Sequence, residues 1–294
     1  MAGLMDRRGP LYMVASALAF STMMMLVKLV GGRLPTLEIV LARAVVSLVL
    51  SYALLARAGV AVWGSNPPLL LLRGAVGTAA LSCVYYAVTH MPLAEATVIQ
   101  YMHPALTALF AAVALGEAVS RRLVLASAVS LAGVVLVAKP SFLFGGALDP
   151  LPPAAVAAAL TGAVLSAVAY TIVRRLASTE NPLVIVFYFP LVAVPAILPF
   201  IYRALVWPEG VEWLLLLGVG VAAQIGQVAL TRGIELLPAG RASALSYVQI
   251  VFATVFGAVV FAEFPDPWAI VGGVLVVAGT AVVSVERRPK TVAV

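Results

Sequence analysis

The sequence predicts an all-α integral membrane protein with ten transmembrane helices, arranged as two inverted five-helix repeats around a central cavity. Three observations predict this fold. Hydrophobic residues make up 63% of the 294-residue chain and charged residues 10%, whereas a soluble domain is about half apolar and a quarter charged. Ten apolar runs approach the roughly 20 residues that a spanning helix needs. The second half of the chain also repeats the first at a constant offset of 146 residues.

Short connections separate the ten apolar runs and leave no room for a soluble domain. The longest connection, between positions 139 and 152, is rich in Pro and Gly. We therefore divide the chain into a first repeat over 1–140, a linker over 141–152 and a second, inverted repeat over 153–294. The first run is too long for a cleavable signal peptide and is expected to remain as a span. The predicted spans are 10–31, 37–56, 68–90, 93–115, 122–138, 153–173, 182–202, 213–234, 239–262 and 267–285.

The repeat is clearest where the segment Pro92–Glu117 is followed 146 positions later by Pro238–Glu263. Both segments begin with Pro and end with Glu, and Tyr101 of the first falls on Tyr247 of the second. An odd number of spans in each copy would place the second copy upside down relative to the first. Inverted repeats of this kind are common in secondary transporters, whose binding site lies near the middle of the membrane between the copies.

The distribution of basic residues predicts the orientation. With a cytoplasmic N-terminus, twelve of the 18 Lys and Arg residues lie at cytoplasmic ends of spans and four at the opposite ends, as the positive-inside rule requires. Both termini are therefore predicted in the cytoplasm, with the chain embedded in the lipid bilayer of the cell's inner (cytoplasmic) membrane. The net charge of +6 follows from this bias and does not indicate nucleic-acid binding. The cytoplasmic set is Arg7, Arg8, Arg57, Arg121, Arg122, Arg174, Arg175, Arg232, Arg241, Arg287, Arg288 and Lys290.

The residues that membrane-embedded enzymes require are missing from the sequence. The single Cys83 cannot form a disulfide framework or a Cys-based metal site. His90 and His103 are thirteen positions apart and belong to no HExxH motif. We therefore predict no catalytic residue, cofactor or metal. A channel or scaffold remains an alternative, since channels can also be built from repeats.

Polar residues mark the same two inner positions on the fourth and ninth spans. Helical spacing places each set on one face, and a polar group facing lipid costs several kcal/mol. We predict that Gln100, His103, Ser246 and Gln249 line one cavity between the copies. The alternative is that they only bond other helices, which contributes roughly 0.6–2 kcal/mol each. The two faces are Ala96, Gln100, His103 and Thr107, and Ala242, Ser246, Gln249 and Ala253.

Pro104 follows this face within the fourth span. A proline inside a helix frees the carbonyl four residues earlier, here that of Gln100, which could bind a substrate ammonium group. The simpler interpretation is a kink. Tyr101 and Tyr247 lie too deep to be interface anchors, and either stack on an aromatic substrate or pack the bundle. Four further candidates for substrate binding are Tyr85, Tyr86, Gln224 and Gln227.

Two sets of charged residues are expected to be structural. Arg43 and Arg73 lie about six residues into their spans, so we expect their side chains to snorkel to the interface. Glu117 is expected to fix a turn or a gate contact, with Arg121 and Arg122 nearby.

The repeated motif resembles that of a known family. A Pro-started helix with a mid-helix Pro, then Leu-Gly-Glu, then a Gly-containing helix is similar to the drug/metabolite transporter superfamily, within it the ten-helix EamA type. Overall likeness is greatest to the YddG-type aromatic amino-acid exporters. The second copy departs from the pattern, with Ile250 for Pro104 and Ala262 for Gly116.

The resemblance implies an exporter in the cytoplasmic membrane that moves amino acids, including aromatic ones, by alternating access. The alternative is a broad-specificity exporter of drugs and metabolites. Neither a monomer nor a weak homodimer is excluded. Because no Asp or Glu lies in the middle third of a span, we expect facilitated export driven by the substrate gradient. Glu95 or Glu235 at a gate, or a water chain, are alternative routes for ion coupling.

Overall fold

The structure is a computed structural model that describes residues 2–31, 33–90, 93–138, 141–144, 151–262 and 267–285. Those residues form helices and no strand. The residues outside this description include Met91, Pro92, Lys139, half of the linker, Glu263 and the basic residues beyond 285. The helices are α1 (Ala2–Val30), α2 (Thr36–Ala58), α3 (Pro67–His90), α4 (Leu93–Gln100), α5 (His103–Leu115), α6 (Arg121–Ala138), α7 (Ser141–Phe144), α8 (Pro153–Leu176), α9 (Pro182–Ile201), α10 (Glu212–Leu236), α11 (Ala239–Leu245), α12 (Gln249–Phe261) and α13 (Pro267–Val285), with a 3₁₀ turn at Ser246–Val248.

Nine helical stretches of the described chain are long and apolar enough to cross a membrane. Two of them, Ala96–Leu115 and Ala239–Phe261, each join two consecutive helices across a break. The last helix offers a shorter apolar stretch, Pro267–Val283. The prediction of an all-α membrane protein is confirmed, while the tenth span stays a prediction.

Polar side chains and Pro residues define several helix ends. The Asn181 side chain accepts a hydrogen bond of 2.9 Å from the backbone N–H of Leu183, and Pro182 occupies the first turn of α9, both common at helix starts. The buried Glu180 carboxylate accepts hydrogen bonds from the backbone N–H groups of Ser65 and Asn66, at 2.8 and 2.6 Å. This negative charge lies at the N-terminus of α3, where the helix dipole stabilises it.

The helix bounds recur at the offset found in the sequence. The helix α5 spans His103–Leu115 and α12 spans Gln249–Phe261, a displacement of 146 residues at both ends. The same displacement relates the starts of α2 and α9, of α4 and α11, and of α6 and α13. The two halves of the chain therefore share one order of helices, several of which begin at equivalent residues.

Close backbone contacts join helices from the two halves. The packing of α6 on α13 depends on glycine, since a side chain at Gly133 would collide with the Gly272 carbonyl and one at Gly279 with Ser130 and the Ala126 carbonyl. The earlier residue of α6 therefore faces the later residue of α13, and these two equivalent helices run antiparallel. Gly272 and Gly279 of the last helix thus permit close packing within the chain.

The long helices α1 and α10 also pack antiparallel. Met13 fills the space left by Gly233, while Leu26, further along α1, contacts Gly218. The equivalent pair, α3 of the first half and α8 of the second, also packs through a glycine, with Val84 over Gly162. The core of the molecule is thus built from pairs of helices that each take one member from each half.

Candidate functional site

The first candidate element is a break in the fourth span. Helix α4 ends at Gln100 and α5 begins at His103, with Pro104 in its first turn. Proline has no N–H and disfavours continuation of the preceding helix. The Tyr101 carbonyl is released from the helical pattern and accepts the Tyr247 hydroxyl at 3.1 Å. That Pro104 also frees the Gln100 carbonyl stays a prediction.

The second break lies at the equivalent place in the ninth span and has no proline. A 3₁₀ turn over Ser246–Val248 separates α11 from α12. The Ser246 hydroxyl donates to the Ser243 carbonyl at 2.6 Å, and Ser243 donates to Gly240 and Pro104 at 3.1 and 3.3 Å. Serine hydroxyls that bond preceding carbonyls bend helices. Sequence reasoning missed this break, although the pair of serines three positions apart is a signal for it.

The two breaks meet at a pair of stacked tyrosines. The Tyr101 and Tyr247 ring centroids lie 5.7 Å apart with planes inclined by 23°. Tyr247 is fully buried, and its hydroxyl bond to the Tyr101 carbonyl closes the contact. The described contacts show the two rings stacked on each other, and a role in substrate binding stays a prediction. Their equivalence at the 146-residue offset places this contact where the halves of the molecule meet.

Helix α8 presents polar and aromatic groups to the first break. The Gln100 amide donates to the Ser166 hydroxyl at 3.2 Å, and the His103 ring lies 5.3 Å from that of Tyr170. His103 is 8% exposed. Within the described part of the chain, the Gln100 Oε1 and His103 Nδ1 atoms are buried without a hydrogen-bond partner. Such atoms are rare in folded proteins, and both retain capacity to bond a small polar ligand.

The corresponding groups of the second copy are bonded differently. The Ser246 hydroxyl bonds its own helix, and the backbone carbonyl of Gln249 accepts the Ser21 hydroxyl at 2.9 Å. The Gln249 side chain is half-buried. The polar positions of the two copies are therefore equivalent in sequence but not in bonding.

The other four predicted binding residues lie apart from the tyrosine pair. The Gln224 amide donates to the Ser51 hydroxyl at 2.8 Å, joining α10 to α2. Gln227 is buried in α10, and its carbonyl accepts the Thr231 hydroxyl. Tyr85 packs beside α2 and α9, while Tyr86 is exposed and stacks on His90. Their role in substrate binding remains a prediction.

Two apolar cavities open elsewhere on the bundle. The larger, of about 660 Å³, lies between α3, α5 and α8 and is lined by residues such as Leu72, Phe110 and Val168. The smaller, of about 470 Å³, lies between α12 and α13. None of the ten predicted binding residues lines either cavity. The predicted central cavity therefore remains a prediction, and around the tyrosine pair the described chain is closely packed.

Glu117 ties the end of α5 to the other half of the molecule. Its carboxylate accepts a hydrogen bond from Arg174 at 2.7 Å and one from the backbone N–H of Ala239 at 2.7 Å. Arg174 also donates to the carbonyls of Ile234 and Glu235, at 3.0 and 2.9 Å. The sequence has Arg121 and Arg122 nearby, but both are exposed and the partner of Glu117 is Arg174. A role of this contact as a gate stays a prediction.

The arginines of the second and third spans do not snorkel. Arg43 and Arg73 are 7% and 5% exposed, and their guanidinium carbons lie 5.6 and 5.1 Å from the centroid of the Phe189 ring. The expectation that they reach the interface was wrong, because helix α9 covers both. The repeat could have indicated the contact between Arg43 and Phe189, since Phe189 lies at the equivalent position, 146 residues after Arg43.

Comparison with known proteins places the chain in a family. The model of the EamA-like transporter family matches it twice, at residues 7–139 and 153–285. The chain belongs to the EamA-like transporter family. It is 35% identical to the pseudopaline exporter of Pseudomonas aeruginosa over 285 residues, which cover 97% of this chain and 98% of that protein. It is 29% identical to solute carrier family 35 member G1 of Mus musculus over 290 residues, which cover 95% of this chain and 78% of that one.

A solved structure supports the same fold. A crystal structure with 23% sequence identity superposes with a TM-score of 0.77 and covers 92% of this chain and 96% of its own. The EamA relatives are transporters, and the present chain is a multi-pass membrane protein of that family.

Proposed function

We propose that this EamA protein exports amino acids, including aromatic ones, or similar small metabolites by alternating access. The observation that carries the proposal is the meeting of two broken spans, 146 residues apart, at Tyr101 and Tyr247. Transporters bind substrate near the middle of the membrane at discontinuous helices, where unwound backbone supplies polar groups. The buried, unsatisfied atoms of Gln100 and His103 lie beside this junction.

An inverted repeat would provide the two conformations that alternating access requires. Helices α6 and α13 are equivalent at the 146-residue offset and pack antiparallel, as expected when the second copy is turned over. The proposed units are 1–140 and 153–294, joined by the linker 141–152. Exchange of conformation between them would open the junction first to one side of the membrane and then to the other.

The orientation follows from the bias of basic residues, which places both termini in the cytoplasm. Cysteine labelling in intact cells tests this on a Cys83→Ser background. A cysteine placed beside Arg8 should react with an impermeant reagent only after the cells are opened. Labelling of that cysteine in intact cells would contradict the orientation.

Two observations bear on the substrate. The rings of Tyr101, Tyr170 and Tyr247 surround the junction and are suited to an aromatic amino acid. The 35% identity with an exporter of pseudopaline over nearly the whole chain makes that metabolite a second candidate. Competition between the standard amino acids and pseudopaline for one flux in proteoliposomes separates the two.

Export is proposed to be facilitative. Proton-driven carriers place a titratable carboxylate deep in the membrane, and the described spans hold their carboxylates near the helix ends. Of the two carboxylates considered for coupling, Glu235 bonds Arg232 at 3.2 Å, and the Glu95 side chain is outside the described part. Proteoliposomes loaded with amino acid and given no ion gradient should show saturable flux. Accumulation that appears with a pH step and vanishes with a protonophore would show proton coupling instead.

A further inference from the structure

The guanidinium groups of Arg43 and Arg73 share one aromatic ring and have no negative partner in the described chain. Both lie against Phe189, at 5.6 and 5.1 Å from its centroid. The Nε atoms of both arginines and the Nη1 atom of Arg73 are buried without a hydrogen-bond partner among the described residues. Neither side chain forms an ion pair there. These are buried, unpaired charges inside the helical bundle.

The contacts with Phe189 do not offset the cost of this arrangement. A cation over an aromatic ring gains about 0.5–2 kcal/mol, whereas an arginine at the centre of a membrane helix costs at least roughly 2.5–3.5 kcal/mol. Two like charges near one ring also repel each other. The nearest buried carboxylate on the same helix, Glu38, accepts instead from the backbone N–H of Val206 at 2.9 Å. Because the favourable contacts are smaller than the cost of burying the two charges, the arginines need an anion from outside the described chain.

The symmetry of the molecule places these arginines at the level of the tyrosine pair. Arg43 and Phe189 occupy equivalent positions, 146 residues apart, as Tyr101 and Tyr247 do. A contact between equivalent residues lies on the pseudo-two-fold axis. In the inverted repeat of the proposed function, on which this step rests, that axis runs in the plane of the membrane. Arg43 is therefore near the middle of the bilayer and far from an interface to which it could snorkel.

Arg73 connects this position with the first helix break. Helix α3, which carries Arg73, packs against α8, and α8 carries Tyr170, whose ring is 5.3 Å from that of His103. Gly77, one turn along α3, leaves the space that the guanidinium occupies, since a side chain there would lie 3.0 Å from Arg73 Nη1 and 3.1 Å from the Phe189 ring. The arginine is held beside Phe189 and towards the junction.

We propose that Arg43 and Arg73 form an anion-binding subsite that takes a carboxylate group of the transported molecule. A guanidinium donates two parallel hydrogen bonds to a carboxylate, and this pairing is among the strongest in proteins. The remainder of the substrate would then lie towards Tyr170, His103 and Gln100. The subsite selects carboxylic acids and rejects their amides and decarboxylated amines, which cannot neutralise the two charges.

Binding to the purified full-length protein in detergent tests the subsite. The probes are 3-phenylpropionate and phenylalanine as acids, with phenylalaninamide as the analogue that lacks the carboxylate, and the readout is the ligand-induced rise in Tm. The wild type should be stabilised by both acids and not by the amide. Arg43→Gln and Arg73→Gln should each weaken acid binding roughly ten- to a hundredfold, the equivalent of one or two charge-assisted hydrogen bonds. Arg57→Gln is the matched control, because Arg57 is exposed on the same helix as Arg43.

A second measurement separates a binding role from a structural one. Removing an unpaired buried charge should leave the Tm of the unliganded protein unchanged or raise it, so Arg73→Met should be at least as stable as the wild type while losing acid binding. A lowered Tm or a misfolded Arg73→Met protein would show a structural role and overturn the proposal. The proposal is also overturned if the acid and the amide bind equally, or if the wild type binds neither acid.

The outcome for the proposed function is read separately, from flux of amino acids through wild-type proteoliposomes. Arginine-dependent binding of 3-phenylpropionate without amino-acid flux would support the anion subsite and reject amino acids as cargo. Amino-acid flux that is unchanged in both glutamine variants would keep the exporter and reject the subsite.

Discussion

The fourth and ninth spans are interrupted at equivalent positions, but different residues accompany the two interruptions. In the first copy the break at Gln100–His103 is enforced by Pro104, whose ring and missing N–H stop the helix. In the second copy Ile250 stands at the equivalent place, and the break is a 3₁₀ turn accompanied by hydroxyl bonds from Ser243 and Ser246. The interruption is therefore a property of the architecture that either residue set can satisfy.

Helices α5 and α12, which follow the breaks, end in the same backbone conformation. Gly116 and Ala262 are equivalent and both adopt the left-handed conformation, with φ of 66° and 54°. Glycine adopts it without strain, whereas alanine pays a steric cost of roughly 1 kcal/mol. The departure from the motif at Ala262 changes the residue but not the backbone.

The chemistry of the two copies differs more than their backbone. The first copy carries the unsatisfied atoms of Gln100 and His103 and both buried arginines. The second carries Phe189 where the first has Arg43, and its Ser246 is satisfied within its own helix. Around the junction, the first copy holds the buried polar atoms without partners, and the second copy contributes Ser166, Tyr170 and Phe189 beside them.

The largest expected effect is a difference in transport between the copies. Gln100→Ala and His103→Ala should each reduce flux at least about tenfold, because each removes a polar group with bonding capacity left for substrate. Ser246→Ala and Gln249→Ala should reduce it by less than about threefold. Flux of the purified variants in proteoliposomes, with Tm as the check on folding, measures this. Equal losses in both copies would mean that the second copy binds substrate as strongly.

The next effect concerns the contact that joins the first copy's broken span to the second copy. Glu117→Gln should lower the free energy of unfolding by about 2 kcal/mol, because it weakens charge-assisted bonds to Arg174 and to the backbone of Ala239. Unfolding titrations in detergent test this. Arg121→Gln is the control, since Arg121 is exposed and should change little. A larger effect in the control would restore the partner expected from the sequence.

The tyrosine pair offers a smaller and more specific test. Tyr247→Phe should lower the free energy of unfolding by about 1 kcal/mol, because the Tyr101 carbonyl loses its buried donor. Tyr101→Phe keeps this bond and should be nearly neutral. The same titrations measure both variants. If the two were equally destabilised, stacking and not the hydroxyl bond would account for the contact.

The smallest expected effects have opposite signs at the two helix ends. Ala262→Gly should raise stability and Gly116→Ala should lower it, each by about 0.5–1 kcal/mol, because both positions have positive φ. No neighbouring atom would meet a side chain at Gly116. The change in stability of this variant therefore reports the cost of the backbone conformation alone. Differences in Tm between the two variants give the comparison, and shifts of the same sign would contradict it.

Particular residues show how far sequence reasoning reached into the site. Tyr101 and Tyr247 were identified as equivalent residues, because two identical residues at one offset mark equivalent points of a repeat; their contact with each other was not predicted. The break at Pro104 was predicted because proline acts locally. The partner of Glu117 was not, since Arg174 is 57 positions away in sequence and Arg121 only four. Proximity along the chain says little about which of several arginines packs against a given carboxylate.

The sequence by itself determined the membrane environment, the helices, the 146-residue repeat and the family motif, because composition, hydropathy and proline act locally or recur at fixed spacing. Only the tertiary structure decided that Arg43 and Arg73 share the Phe189 ring, that the Ser246 hydroxyl turns back on its own helix and that Gln224 bonds Ser51. Burial and pairing depend on which helices become neighbours. That choice is made by side-chain packing across the whole bundle, where a single glycine such as Gly133 decides whether two backbones can meet.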